Sequence, residues 1–191
     1  MDLHRQNTVC PRVIPFHLDD WASAAEAFKK STPVYLGQHW LPQPEAGFLP
    51  ARVRTAWTDN ALLVLAELDD AGIFNPSREF NAPAFKMGDI FEIFLRPLDQ
   101  DAYYEFHIGP DNQKFQLRVP SAKAFRELPK GDIPQEWLIG NQVIESRAKV
   151  LAQDNRWLAL ASIPLAMVAE ARHPEAGSQW LFSFSRYDYH P

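Results

Sequence analysis

Residues 86–109, KMGDIFEIFLRPLDQDAYYEFHIG, decide the fold, because they hold two alternating runs of apolar side chains joined by a short polar segment. In an extended strand, successive side chains point to opposite faces of the sheet. One face therefore collects Phe91, Ile93 and Leu95 from the first run, and Tyr104, Phe106 and Ile108 from the second. Residues 98–101 between the runs contain aspartates, which bond nearby backbone groups in turns. The stretch predicts an antiparallel hairpin with one face in a hydrophobic core.

The opposite face of this hairpin carries charged groups in an apolar setting. Glu92 lies between Ile90 and Phe94, and pairing of the two strands places Glu105 and His107 on the same face. A buried carboxylate without a partner costs several kcal/mol, so Glu92 needs one. That partner is either a structural ion pair or a ligand, and the sequence leaves both open.

The rest of the chain repeats the pattern of short strands and turns. The predicted strands are a hairpin over residues 51–69, strands at 114–119, 142–151, 156–163 and 179–187, and shorter extended segments at 13–18 and 34–36. Short helices are expected at residues 21–30, capped by Asp19 and Asp20, and at residues 164–171. The sum is typical of an all-β fold, an antiparallel β-sandwich of the jelly-roll or immunoglobulin-like kind with two short helices. Because no repeat, low-complexity tract or linker interrupts it, a single domain over residues 1–191 is expected.

The overall composition limits the classes of partner and the location. With 19 basic and 24 acidic residues the net charge is −5, which argues against nucleic acid and anionic membranes as partners. No apolar run approaches the roughly 18 residues that a membrane span needs. The single cysteine, Cys10, excludes an intrachain disulfide and a cysteine-based zinc site. The first residues contain no apolar signal core, so we expect a cytoplasmic protein as written, or a secreted or periplasmic one if a signal has been removed.

Several short motifs follow one another in an order that resembles the family 9 carbohydrate-binding modules. They are residues 57–64, WTDNALLV; 69–70, DD; 88–95, GDIFEIFL; 103–106, YYEF; 161–165, ASIPL; and 177–186, GSQWLFSFSR. Together they cover roughly residues 50–188. The family is a β-sandwich of the wider superfamily that includes heme- and sugar-binding DOMON domains. The resemblance therefore implies the same fold and a non-catalytic, carbohydrate-binding function.

The resemblance also implies a set of site residues, since family members hold a pyranose between two aromatic rings and bond its hydroxyls with charged side chains. The ligand-binding candidates are Phe85 in place of the usual Trp of the first ring, Lys86 beside it, Glu92 as the hydroxyl-binding carboxylate, His107 as the cationic donor, and Arg186 in the closing motif. The second ring belongs to a segment after this closing motif, so the resemblance implies either a fragment whose second ring lies beyond Pro191 or a half-built pocket. The family also carries structural calcium, for which Asp69, Asp70 and Asp89 offer hard oxygen ligands.

Three alternatives to sugar binding remain open from the sequence. A b-type heme domain is one, because relatives in the superfamily hold heme through a Met, and Met87 with His107 or Lys86 offers axial ligands. A glycosidase is another, with Glu92 and Glu105 or Asp89 as paired carboxylates, but the resemblance is to binding proteins and so predicts no enzyme. The last is a sandwich domain with no affinity for sugar.

Overall fold

A computed structural model describes residues 7–129, 132–140, 144–170 and 173–189, and it shows two antiparallel sheets packed face to face. The strands are β1 Val34–Tyr35, β2 Ala51–Trp57, β3 Ala61–Asp69, β4 Ile90–Pro97, β5 Tyr103–Ile108, β6 Lys114–Val119, β7 Glu145–Leu151, β8 Arg156–Pro164 and β9 Trp180–Tyr187. The five-stranded sheet has the order β1-β2-β3-β8-β7, and the four-stranded sheet has the order β6-β5-β4-β9. The predicted all-β antiparallel sandwich is confirmed.

Helices are few and short. The α-helices are α1 Trp21–Ala27, continued by a 3-10 turn at Phe28–Lys30, α2 Ala122–Arg126 and α3 Leu165–Val168. Further 3-10 turns lie at Ala84–Lys86, Gln135–Trp137 and Ala152–Asp154. Asp20 caps α1 by accepting hydrogen bonds from the amides of Ala22 and Ser23, as the sequence predicts. In the described part of the chain, none of these helices has the length and apolar character needed to cross a membrane.

The core lies between the two sheets and is built from the alternating apolar positions. Its largest fully buried side chains include Phe91, Ile93, Phe106, Ile108 and Trp157. Burying one such side chain contributes about 1.5–3 kcal/mol, so these strands are held in place chiefly by their inner faces. Side chains on the outer faces can therefore serve other roles.

Additional chain segments cover parts of both outer faces. Phe16, Trp21 and Phe28, from the N-terminal segment and α1, pack on the outer face of the five-stranded sheet. The β6 side of the four-stranded sheet is covered by Ala124, Leu128, Ile133 and Leu138, which pack around Phe115 and Trp137. The β9 side of this second outer face stays open, because Leu181, Ser183 and Tyr187 are exposed there.

Two local predictions differ from the structure. No element was predicted for residues 120–136, but Ser121 starts α2 there by accepting a hydrogen bond from the amide of Ala124. The extended segment at residues 13–18 joins no sheet as a strand; Val13 donates one backbone hydrogen bond to Trp57, and the segment turns to cover the sheet instead. Parts of two predicted elements, residues 142–143 and 171, lie outside the described residues.

Candidate functional site

Three titratable side chains meet on the outer face of the four-stranded sheet. The register pairs Glu92 of β4 with His107 of β5, and Glu105 lies two residues from His107 on the same face. The Nε2 atom of His107 lies 3.5 Å from Oε1 of Glu92 and 3.6 Å from Oε2 of Glu105. All three residues are buried, with exposed fractions of 7%, 7% and 3% for Glu92, Glu105 and His107. We refer to them as the Glu–His–Glu group.

The hydrogen bonds of the Glu–His–Glu group are incomplete. Ser185 of β9 donates its hydroxyl to Oε2 of Glu92 at 2.6 Å. Tyr103 bonds Glu105, and burial together with that carboxylate raises the pKa of the Tyr103 phenol. Both ring nitrogens of His107 are buried and lack a hydrogen-bond partner, because 3.5 Å and 3.6 Å exceed the normal N–H···O range. A buried polar atom without a partner is costly, and so it marks a place where a ligand group has something to gain.

Aromatic rings surround the imidazole. The centroids of the Phe115, Phe85 and Phe94 rings lie 5.1 Å, 5.5 Å and 6.3 Å from that of His107. Tyr187 of β9 stands beside Phe85, with centroids 6.3 Å apart and planes tilted by 33°. We call Phe85, Phe94 and Tyr187 the aromatic platform.

The platform is not a clamp of two facing rings. A sugar between two rings needs about 7–8 Å between them, since each carbon contact is about 3.5–4.0 Å. Phe85 and Tyr187 are closer than that, so they present a common surface rather than a slot. Tyr187 is 45% exposed, and Phe94 is partly exposed, so this surface is open to solvent on the β9 side.

Tyr189, at the C-terminal end of the described chain, contacts two residues of the aromatic platform. Tyr189 donates its hydroxyl to the backbone carbonyl of Phe85 at 2.9 Å, and its ring lies beside that of Tyr187. Sequence reasoning placed the second ring beyond Pro191 and did not name these tyrosines, although the letters YDY directly follow the closing motif. The Nζ atom of Lys86 lies 5.8 Å from the centroid of Phe85 on the exposed side.

Arg186 does not join the Glu–His–Glu group. It pairs in register with Phe91, so its side chain points to the inner face of the sheet. There its guanidinium pairs with the carboxylate of Asp188 and donates to the backbone carbonyl of Asp69 at 2.5 Å. Arg186 follows Phe182 and Phe184 at two-residue intervals along the strand. Because such residues share a face, the sequence predicts that Arg186 lies on the inner face.

A second acidic cluster lies where strands β3, β4 and β9 end. Carboxylate oxygens of Asp70, Asp89 and Asp188 come within 4.8 Å of one another. Asp69, which the sequence grouped with Asp70 and Asp89, instead accepts a hydrogen bond from Arg156 at 2.5 Å, and Asp188 takes its place. The two oxygens of Asp89 accept backbone amides, from Phe74 at 2.6 Å and Tyr189 at 2.9 Å.

Burial controls the protonation of this aspartate cluster. Desolvation raises the pKa of Asp89 to about 6, although its two backbone hydrogen bonds oppose that rise. Desolvation also raises the pKa of Asp70, in spite of a hydrogen bond from the amide of Gly72. The nearby Asp188 adds to both shifts, and its Oδ1 is buried without a partner. The chemistry of these donors, three carboxylates with one unused oxygen, fits a hard cation such as calcium.

The surroundings of His107 do not fit a heme. Three rings pack around the imidazole, and its Nε2 faces two carboxylates rather than an open space for an iron porphyrin. Met87, the other candidate axial ligand, is 43% exposed at the end of the 3-10 turn that carries Phe85. Two cavities of about 180 and 190 Å³ lie elsewhere, beside Arg147 and beside Trp180, so neither contains the Glu–His–Glu group.

Comparisons with known proteins agree on the fold. No protein-family model matches the sequence, and neither does any curated protein. Among solved structures, the chain is similar to a carbohydrate binding module family 9 from Caldicellulosiruptor kristjanssonii in complex with cellotriose, with 19% identity, a TM-score of 0.54, and coverage of 92% of this chain and 73% of that one. A Bacteroides uniformis protein provisionally assigned as carbohydrate-binding has 14% identity, a TM-score of 0.64, and coverage of 94% and 82%.

A further structure of the Caldicellulosiruptor kristjanssonii family 9 module, in complex with glucose, has 21% identity and a TM-score of 0.46. The match covers 70% of this chain, which spans only 56% of the length of that one. At such identities the likeness to the two better-matched structures establishes the β-sandwich fold.

Proposed function

We propose that this chain binds carbohydrate, without catalysis, on the outer face of the four-stranded sheet. The observation that carries the proposal is the Glu–His–Glu group, whose polar atoms are incompletely bonded, lying beside an exposed aromatic platform. The family 9 module from Caldicellulosiruptor kristjanssonii that covers 92% of this chain is in complex with cellotriose, which supports the same class of ligand here.

The chemistry of a pyranose matches both parts of this surface. The C–H face of the sugar ring is apolar and stacks on the exposed ring of Tyr187. Its hydroxyls donate to carboxylate oxygens and accept from an imidazole N–H. Glu92 is the carboxylate nearest the open side, because Ser185 and Tyr187 of the neighbouring strand border it. A sugar approaching from β9 therefore meets the platform and Glu92 together.

The placement of the two glutamates favours binding over hydrolysis. A glycosidase holds an acid and a second carboxylate on either side of the bond to be broken. Glu92 and Glu105 instead flank one imidazole on one sheet face, and each has most of its side chain buried. Neither carboxylate is presented to a bond from the opposite side.

We also infer a structural calcium at Asp70, Asp89 and Asp188, in support of the same surface. Asp89 accepts the amide of Tyr189, and Tyr189 holds the backbone of Phe85. Neutralising the repulsion among three carboxylates would thereby stabilise the segment that carries the platform. The residues involved belong to three separate stretches of the sequence, so the ion would join the paired ends of β4 and β9 to the end of β3 in the other sheet.

Isothermal titration calorimetry with glucose, cellobiose and xylo-oligosaccharides tests the sugar proposal. The expected result is saturable heat with at least one of these ligands, lost when Glu92 is changed to Gln. Absence of heat with all of them would contradict the proposal. Thermal unfolding of each variant, measured beside the titration, ensures that a lost signal is not a lost fold.

A further inference from the structure

The Glu–His–Glu group carries more negative charge than its surroundings balance. Glu92 and Glu105 lie diagonally across strands β4 and β5, with His107 opposite Glu92 and Phe94 opposite Glu105. The group contains two carboxyl groups and only one imidazole. Burial makes such an excess expensive, because little water reaches the carboxylates.

The nearest cationic side chains are engaged elsewhere. Lys86 places its Nζ over the outer side of the Phe85 ring. Arg96, two residues beyond Phe94 on the same strand, donates to the backbone carbonyl of Gln100 at 2.9 Å. In the described part of the chain, neither Lys86 nor Arg96 lies within ion-pair distance of Glu92 or Glu105. The partners that these carboxylates do have are the hydroxyls of Ser185 and Tyr103 and the distant imidazole.

An aromatic ring completes the square that the two carboxyl groups form with the imidazole. Phe94 fills the fourth corner, is partly exposed, and has its ring 6.3 Å from that of His107. An ammonium group bonds carboxylates through charge-assisted hydrogen bonds and is attracted to the face of an aromatic ring. Two carboxylates and a ring face at adjacent positions are therefore complementary to an amine.

Resting on the sugar-binding function proposed above, we propose that the preferred ligand is an amino-substituted pyranose whose ammonium lies between Glu92 and Glu105, over Phe94. His107 remains beside both carboxylates and completes the hydrogen bonding to the neighbouring hydroxyl. The ammonium supplies the positive charge that neither Lys86 nor Arg96 brings to these two glutamates.

The test compares three sugars that differ only at one carbon: glucose, glucosamine and N-acetylglucosamine. Calorimetric titrations are run below the pKa of the glucosamine ammonium, so that it is charged. Glucosamine is expected to bind at least about tenfold more tightly than glucose, since a charge-assisted bond is about twice as strong as a neutral one. N-Acetylglucosamine, whose nitrogen is uncharged, is expected to show no such gain.

The variant Glu105→Gln keeps the shape of the side chain and removes its charge, so it should bring the ratio of glucosamine to glucose affinity close to one. Glu145→Gln is the matched control, because Glu145 is an exposed strand residue of the other sheet, and it should keep the wild-type ratio. If glucose binds and glucosamine binds no better, the amine proposal is wrong while sugar binding stands. If no sugar binds at all, including glucosamine, both proposals fail.

Discussion

Glutamates on the outer faces of the two sheets have different partners: Glu67 on the five-stranded sheet is partly buried, and Glu92 and Glu105 on the four-stranded sheet are buried. On the five-stranded sheet, Glu67 accepts hydrogen bonds from Arg52 and Arg54, each at 2.5 Å, so both of its oxygens have guanidinium partners. On the four-stranded sheet, Glu92 and Glu105 have only a hydroxyl each and an imidazole at 3.5–3.6 Å. The first arrangement is complete as a structural ion pair, whereas the second leaves bonding capacity for another molecule.

The pKa of Glu67 supports the view that this pairing is structural. Burial works to raise it, but the hydrogen bonds and charges of the two arginines outweigh burial and lower it overall. Its carboxylate is therefore favoured in the ionised form by the folded chain itself. A glutamate on a strand does not by itself indicate a ligand site. Its hydrogen-bond partners on neighbouring strands distinguish a structural ion pair from a candidate ligand site.

Removing the charge of Glu92 in one variant and of Glu67 in another should give the largest difference between the two sheet faces. Glu92→Gln is expected to weaken sugar binding by about thirtyfold, roughly 2 kcal/mol, because it removes a charged acceptor, and to leave stability nearly unchanged. Glu67→Gln is expected to leave sugar affinity unchanged and to lower the free energy of unfolding by about 1–2 kcal/mol, because two arginines lose their partner. Calorimetry and chemical denaturation of both variants measure the two effects. Loss of binding with Glu67→Gln would show that the two faces are not independent.

Substituting two exposed tyrosines, one on each sheet, tests the same difference between the sheets with a smaller expected change in sugar affinity. Tyr187 is 45% exposed on the platform, and Tyr35 is 59% exposed on β1 of the other sheet. Tyr187→Ala should weaken sugar binding by up to about tenfold, because a stacked ring is worth about 0.5–1.5 kcal/mol. Tyr35→Ala should leave the affinity unchanged. Equal affinities for the two variants would mean that the sugar does not stack on Tyr187.

The aspartate cluster is expected to change stability rather than sugar affinity, and its effect depends on pH. Since burial raises the pKa of Asp89 to about 6, the folded chain holds this proton more tightly than the unfolded chain, whose value lies near 3.8. Its contribution to stability is full below pH 3.8 and is lost as the pH rises through about 6, with a total loss of about 3 kcal/mol. Denaturation curves recorded in EDTA on either side of pH 6 measure this loss.

Calcium should oppose that pH dependence, because a bound cation favours the ionised aspartates. We expect added calcium to raise the free energy of unfolding above pH 6 and to have little effect below it. The variant Asp70→Asn should abolish the calcium response, whereas Asp59→Asn, which alters an exposed aspartate paired with Arg12, should preserve it. An identical curve with EDTA and with calcium would contradict the proposed ion.

Much of the candidate site was accessible from the sequence, for a local reason. Period-two alternation assigns Glu92 and Glu105 to the same face as His107 once the hairpin is recognised, and the short turn at residues 98–101 leaves little freedom in the register. The resemblance added Phe85 as a ring beside that face. The same alternation predicts that Arg186 lies on the inner face, although the resemblance grouped it with the ligand-binding residues.

The remaining features depend on residues that are distant in sequence. Asp188 joins Asp70 and Asp89, and Tyr189 reaches the backbone of Phe85, across about a hundred positions of the chain. No pattern within a strand encodes such contacts, because they arise where the ends of three strands are brought together by packing. The same holds for α2, whose capping serine is a local signal but whose place over β6 follows from apolar contacts.

The sequence by itself determined the strands, their inner and outer faces, and the neighbours of Glu92 across one hairpin, since backbone geometry fixes side-chain direction. Only the tertiary structure decided which carboxylates obtain guanidinium partners and which do not. That choice depends on how strands far apart in the chain lie beside one another, and it separates the glutamate that stabilises the fold from those proposed to bind a ligand.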